Sequence, residues 1–472
     1  MLLENNPYIA EKVGEDFLEQ LKSFDLLKYF LEYLKGYESC FVRPSQVNSF
    51  KIFIEGLLSN LDRKSIEPIA LAFSDEKNVR KLQYFISDSR GWYETLLPHY
   101  QKSLSHELTG INGFLSIDES DFVKKGDMSA GVGRQYCGRL GKRELCQAGV
   151  FASYASAKGI GLISCCLYIL KGWFNADHDE KRESCQIPEN LVFKTKNEIA
   201  KKMVADIINQ GLFQIECLGC DASFGSDHTF LDTLPQSLYY FASVRENEYI
   251  FRNMPAVSIP EKKSGKGGGY KHLRSQEHPI VVKEIADDDS IAWKKCTIAE
   301  GAKGPIITEI KCIRCVACRK ENRHFVPKSG IWLYIRKHED GKIKYFLSNM
   351  PPETRLSELH RLATARWSIE QCFQECKSYL GMAHYETRSY PGWHRHMLFV
   401  MIAHLFVTRL RNFLSKKKIH LTMPMVRNLI ASQIPMPTSI EKIVRIIAYH
   451  LLRNSAAYRS HRKKKLMEVS AG

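Results

Sequence analysis

Two short apolar runs that each end in an aspartate constrain this chain more than any other feature. GFLSIDES carries Asp118 and CLGCDASFG carries Asp221. An apolar run of this length closed by an acid or a glycine reads as a buried strand that delivers the acid to its end. Between them, Leu145–Ala155 and Gly159–Leu170 read as two further strands joined by a turn at 156–159. Lys196–Gln210 reads as a helix, and Phe213, Ile215 and Cys217 alternate into the second acidic run. Strand, strand, strand, helix, strand is the opening of an α/β core whose adjacent strands would bring Asp118 and Asp221 together.

That order is the opening of an RNase H-like fold, and the rest of the chain divides around it. Residues 1–105 are predicted helical, with interspersed Arg43, Lys51, Arg63, Lys64, Arg80 and Lys81 suited to DNA-end binding. Residues 106–221 would form the first part of the catalytic core, and 222–350 a β-rich insertion. The insertion includes a Gly-, Lys- and Ser-rich loop at 258–279 and strands at Lys311–Ala317, Gly330–Lys337 and Lys342–Ser348. Pro351–Pro352 punctuates the chain before one long helix to Leu380, capped by Gly381, which completes the core over 351–390. Residues 391–472 read as a C-terminal helical region ending in the basic HRKKK tail.

The long helix supplies a third acid. At about 100° per residue, Leu362, Ala365, Ile369, Cys372, Phe373, Cys376 and Leu380 share one apolar stripe. Arg366, Glu370 and Lys377 fall along its edge, while Glu375 is expected to face solvent. Alone, Arg366 and Glu370 would be an ordinary i,i+4 ion pair worth a few tenths of a kcal/mol. With Asp118 and Asp221 they acquire a chemical reason. Cleaving a phosphodiester means stabilising an attacking and a leaving oxygen, which two Mg²⁺ ions held by a few carboxylates can do, with Mn²⁺ able to substitute. A net charge of +16 points to a polyanionic partner, of which DNA or RNA is the commonest.

SIDESDFVKKG, GVGRQYCGRLGKRELCQAGVFASYAS, CDASFG and RWSIEQCFQECKSYLGMAHYETRSYPGWHRH together resemble the insertion-sequence 701 group of bacterial transposases, within the insertion-sequence 4 superfamily. The resemblance runs from about residue 40 to residue 410. It implies a DDE transposase that cuts and joins double-stranded DNA at transposon ends and targets, by a cut-and-paste route with two metal ions. Asp118, Asp221 and Glu370 take the catalytic, metal-holding positions, and Arg366 and Lys377 the DNA-binding ones. Of the superfamily signature Y-x2-R-x3-E-x6-K, only the tyrosine is missing, replaced by Ala363. The resemblance further implies an insertion domain of mostly β structure between Asp221 and Glu370, where Trp293 is the nearest candidate to stack on a flipped base, and a homodimer in the active complex. Two alternatives use the same features: a domesticated or inactive DNA-binding derivative, and a metal-dependent nuclease without strand transfer.

Other signals weigh less. Cys312, Cys315 and Cys318 have zinc-like spacing, but three-residue steps along a strand put the thiols on different faces. Glu119 is a secondary acid beside Asp118. His394 and His396 suit DNA contact or helix packing equally. The 14 cysteines and the acidic opening MLLENNPYIAEKVGEDF lead to an expectation of reduced thiols in a cytoplasmic, nucleoid-associated protein. Met397–Val407 is too short for the ~20 residues of a membrane span and reads as a buried helix.

Overall fold

The computed structural model describes residues 24–259, 272–301, 304–321, 324–338, 340–415, 421–433 and 439–470. The opening residues 1–23 and residues 260–271 of the expected loop lie outside them.

The first acidic run forms β1 (Phe114–Val123), with Leu115 and Ile117 buried on one face and Phe114 and Ser116 on the other. It pairs antiparallel with β3 (Lys142–Ser156), which pairs with β2 (Gly133–Cys137) and β4 (Gly159–Tyr168). Helix α6 (Lys196–Gln210), which follows five N-terminal helices, has the boundaries its sequence predicts. Thr195 and Glu198 make a reciprocal capping box, and Gly211 closes the helix at φ +63°. The second acidic run forms β5 (Cys217–Cys220), parallel to β1, and β6 (Tyr239–Val244) lies parallel to β5. The order β4-β3-β1-β5-β6, with its last two strands parallel to β1, is that of an RNase H-like core.

β6 falls inside 222–350, so that stretch begins with the fifth core strand. The rest extends the same sheet. β7 (Tyr249–Phe251), β10 (Ile280–Val281), β11 (Lys294–Gly301), β12 (Gly304–Glu321), β13 (His324–Lys337) and β14 (Ile343–Ser348) complete a twelve-stranded sheet, with β14 hydrogen-bonded to β6. β8 (Val257–Ser258) and β9 (Arg274–Ser275) form a separate pair.

The expected single helix after Pro352 is two: α7 (Leu356–Ala365) and α8 (Ser368–Tyr379), separated by a turn at Arg366 and Trp367. The physical reason is that the two halves bury against different partners. Leu359, Leu362 and Ala363 enter a cluster with Phe114, Phe241, Tyr334 and Phe346. Ile369, Cys372, Phe373 and Cys376 enter the main core, with Phe373 set edge-on to Phe151 at 5.3 Å. One straight helix could not serve both.

α9 (Tyr390–Ser415) is long and apolar enough to span a membrane by composition, yet 78% of its apolar window is buried. The N-terminal helices α1 (Leu26–Lys35), α2 (Pro44–Leu58), α3 (Ile66–Phe73), α4 (Val79–Ser87) and α5 (Tyr93–Leu108) gather beside it. Trp92 stacks on Phe399 at 5.3 Å, and Phe50, Phe53 and Phe85 also meet that ring. The N-terminal helices and α9 therefore share one core. α10 (Met423–Gln433) and α11 (Ile440–Ser470) follow.

Candidate active site

The register of the sheet decides where the acids stand. Ile117 pairs with Cys220 across the parallel β1/β5 ladder, so Asp118, in the middle of β1 rather than at its expected end, comes beside Asp221, which follows the last residue of β5. Side chains alternate faces along a strand. Asp118 shares its face with Phe151 of β3, because the two are paired, and Phe151 packs on Phe373 of α8. The acids therefore emerge on the face covered by α7 and α8.

Asp221 also caps the one-turn helix Ala222–Gly225. Its Oδ1 accepts from the Ser223 and Phe224 amides, at 3.0 and 3.3 Å, and from the Ser223 hydroxyl at 2.7 Å. The second oxygen takes no part in this cap. Asp118 Oδ1 accepts from the Glu119 amide at 2.7 Å. Burial pushes the Asp118 carboxyl up to about 8; Asp221 adds to the push, Arg366 opposes it, and Glu370 adds a smaller one. These are the marks of carboxylates held close together with too little counter-charge.

Gly219 explains how α8 delivers its acid. A Cβ there would stand 2.5 Å from the Phe114 ring and 3.2 Å from Arg366 Cγ. The missing side chain makes room for the Phe114 ring and leaves Arg366 close over β5. Arg366 is buried and its Nη2 donates to Glu370 Oε1 at 2.7 Å, while Glu370 remains 39% exposed. Among the described residues, no three His, Cys, Asp or Glu side chains stand close enough to share one ion. Glu370 is turned to Arg366, as mutual repulsion among three carboxylates favours. The donor set is nonetheless one of hard oxygens, suited to Mg²⁺ or Mn²⁺ rather than to a thiophilic metal.

Lys377 of α8 lies within electrostatic reach of Asp121 and Asp118. Burial pulls its ammonium below the usual lysine range, with Arg139 adding to the effect and Asp121 and Asp118 opposing it, and its Nζ lies 5.5 Å from the Phe122 ring centre. Two cations in the insertion were not singled out from sequence. Arg336 of β13 and Lys344 of β14 are direct cross-strand partners. They lie on the face of Tyr334 and Phe346, beyond the row that joins Asp118 and Asp221 to Ser243 and Phe346. Strand alternation could have placed them on one face, but their approach to the acids depends on strand order, which sequence did not reveal.

The remaining candidates have structural settings. Glu375 does not face solvent, as the helical arithmetic expected. It is buried, with His404 Nε2 2.8 Å from Oε2, and with Arg411 and Gln371 donating to Oε1, each at 3.1 Å. This face of α8 packs against α9, which carries His404 and Arg411. Glu119 pairs with Lys196 at 2.5 Å. Ala363 is buried in the second cluster. Trp293 packs on the core with Lys311 Nζ 4.8 Å from its ring centre. Cys315 joins the main core, Cys318 sits with Phe251 and Val316, and Cys312 packs beside Tyr334 and Phe346. His394 and His396 are buried, accepting or donating at Leu167, Tyr390 and Gly381, and burial pulls them down to about 4 and about 3.

A core of this order with acids on its first and fourth strands defines a class. The family model described as DDE superfamily endonuclease matches residues 36–305, more than half of the chain, and takes in Asp118 and Asp221. The chain belongs to the DDE superfamily endonucleases. It is also similar to a probable transposase for insertion sequence element IS701 from Microchaete diplosiphon, at 27% identity over 226 residues. That match covers 48% of this chain and 56% of the relative, so the chain spans little more than half of the relative's length.

Proposed function

We propose that this chain is a cut-and-paste DNA transposase, acting at the ends of an insertion element with Asp118, Asp221 and Glu370 as its catalytic acids. The observation that carries this reading is the strand register that sets Asp118 beside Asp221, under a helix bearing Glu370. The three acids would hold divalent cations, Mg²⁺ or Mn²⁺, which when bound supply Lewis-acid stabilisation of the attacking and leaving oxygens. The assigned reaction is attack of water on the phosphodiester at the element's end, releasing a 3′-OH. That hydroxyl then attacks a second phosphodiester, on the opposite strand or in target DNA. Arg366 holds Glu370 in place and, with Lys377, faces the phosphates.

A second copy of the chain is the proposed partner. On α11, Ile440, Val444, Ile447 and Leu451 are exposed at alternating four- and three-residue steps, with Tyr458 one heptad further on, the spacing of a helix–helix seam. The opposite side of α11 is used within the chain, where Lys442 donates to the Ala72 carbonyl and Arg453 pairs with Glu67. Leu451→Asp should convert a dimer to a monomer in sedimentation; an unchanged mass would remove this surface.

The test of the function is incubation of the purified protein with the element's own terminal DNA, with Mg²⁺ and with EDTA. Metal-dependent release of a 3′-OH end, lost in Asp221→Ala, is expected. Cleavage without joining would favour a plain nuclease, and full activity in Asp221→Ala would remove the assignment.

A further inference from the structure

Arg336 is an expensive residue to fold. Its side chain is only 7% exposed, and its Nε is buried without a hydrogen-bond partner. Directly opposite, on the adjacent strand, is Lys344, itself partly buried. Like charges facing each other across a β ladder destabilise it, and a buried cation without a counter-ion costs more. Among the described residues, neither cation makes an ion pair. The Phe346 ring lies 5.8 Å from the Arg336 guanidinium, and the acids act on the pair only through space, Glu370 on both cations and Asp118 on Lys344.

The position of the pair gives this cost a purpose. Successive register pairs carry the row of Asp118 and Asp221 through Ser243 of β6 to Phe346 of β14 and Tyr334 of β13. Lys344 and Arg336 lie two residues beyond Phe346 and Tyr334, which puts them on the same face, past the carboxyl end of β5 and in the direction in which β1 continues toward Val123. Glu370 and Arg366 are near enough to act on both cations electrostatically. A strand of DNA entering over the acids would run along this face toward the pair.

We infer that Arg336 and Lys344 form a phosphate-binding clamp, contributed by the extended sheet, which holds a backbone phosphodiester of the DNA strand beside the one that reacts. This rests on the transposase reading, and goes beyond it by assigning a binding role to two strands outside the five-stranded core. A guanidinium offers a fork of donors to phosphate oxygens, and an adjacent ammonium adds a mobile point charge. The anion also relieves the repulsion that the free protein carries.

The experiment is equilibrium binding of the element's terminal duplex to the full chain in EDTA, measured across a salt series, for wild type, Arg336→Gln, Lys344→Gln and Arg336→Lys. Each lost phosphate contact should make the slope of log affinity against log salt less negative by about 1. Arg336→Gln should weaken binding roughly 10-fold or more at low salt, with Arg336→Lys recovering part of it. Melting temperatures of the free variants should be equal to or above that of wild type, because a repulsive pair has been removed. An unchanged salt slope in both Gln variants, or a fall in melting temperature that accounts for the weaker binding, would overturn the clamp. Binding is read without catalysis. A protein that binds through the clamp yet cleaves nothing would refute the transposase reading and leave the clamp standing.

Discussion

Glu370 and Glu375 lie five residues apart on one helix and have opposite surroundings. Glu375 is buried and its oxygens are taken by His404, Arg411 and Gln371. Glu370 is 39% exposed and has Arg366 for its hydrogen-bonded partner among the described residues. The first arrangement saturates a carboxylate, so that it acts as a tie between α8 and α9. The second leaves acceptor capacity open on the face that carries Asp118, whose carboxyl is raised by burial and by Asp221. An acid meant to hold a cation must not already be neutralised, and an acid meant to hold a fold must be.

The largest expected effect separates the two groups by activity. Asp118→Asn or Asp221→Asn should lower DNA cleavage by about 10³-fold or more, since the metal contribution it removes is worth several kcal/mol. Neither change should lower thermal stability appreciably. Glu375→Ala should do the reverse, costing roughly 3–5 kcal/mol of stability by leaving His404 and Arg411 without their buried partner. Equal melting temperatures for Glu375→Ala and wild type would break the comparison.

The pH dependence sharpens it. Glu375 is held down at about 2, its hydrogen bonds and the His404 and Arg411 charges outweighing its burial. Its folded value is below its unfolded one, so its stabilisation is present above about pH 4.5 and is lost as pH falls toward 2. Asp118 has the opposite sign. Its folded value is raised, so it is a growing cost to the metal-free protein as pH rises from about 4 toward 8. In EDTA, Asp118→Asn should melt higher than wild type at pH 8, by about 1–2 °C, and equally at pH 4. A lower melting temperature at pH 8 would show that Asp118 is a structural acid like Glu375.

The smallest effect concerns Arg366. Arg366→Gln should keep the fold and weaken cleavage less than loss of an acid does, roughly 10-fold, because the guanidinium positions Glu370 rather than replacing it. Activity equal to wild type would remove that positioning role.

The parts of this molecule that were legible in sequence are those with local causes. The strand β1 announces itself by an apolar run, and α6 by Thr195, Glu198 and Gly211, which fix both of its ends. Asp221 could be placed because it follows the end of β5, whereas Asp118, read as closing its strand, stands in the middle of β1, which pairs with β3 as far as Val123. The turn at Arg366 and Trp367 was not legible, because it exists to let α7 and α8 serve two different hydrophobic clusters. Glu375 was misplaced for a different reason: at about 100° per residue it stands on the flank of the apolar stripe away from Glu370, and α9 covers that flank. Arg336 and Lys344 were hidden for a related reason: their relation to the acids runs through β6 and β14, whose pairing is long-range.

The most direct measurement is cleavage of the element's terminal DNA by wild type, Asp118→Asn, Asp221→Asn and Glu370→Gln, in Mg²⁺ and in EDTA, with Glu375→Gln as the internal control. The account predicts Mg²⁺-dependent release of a 3′-OH by wild type and by folded Glu375→Gln, and none by the other three. Metal-independent cleavage, or cleavage that survives in Asp221→Asn, would contradict it.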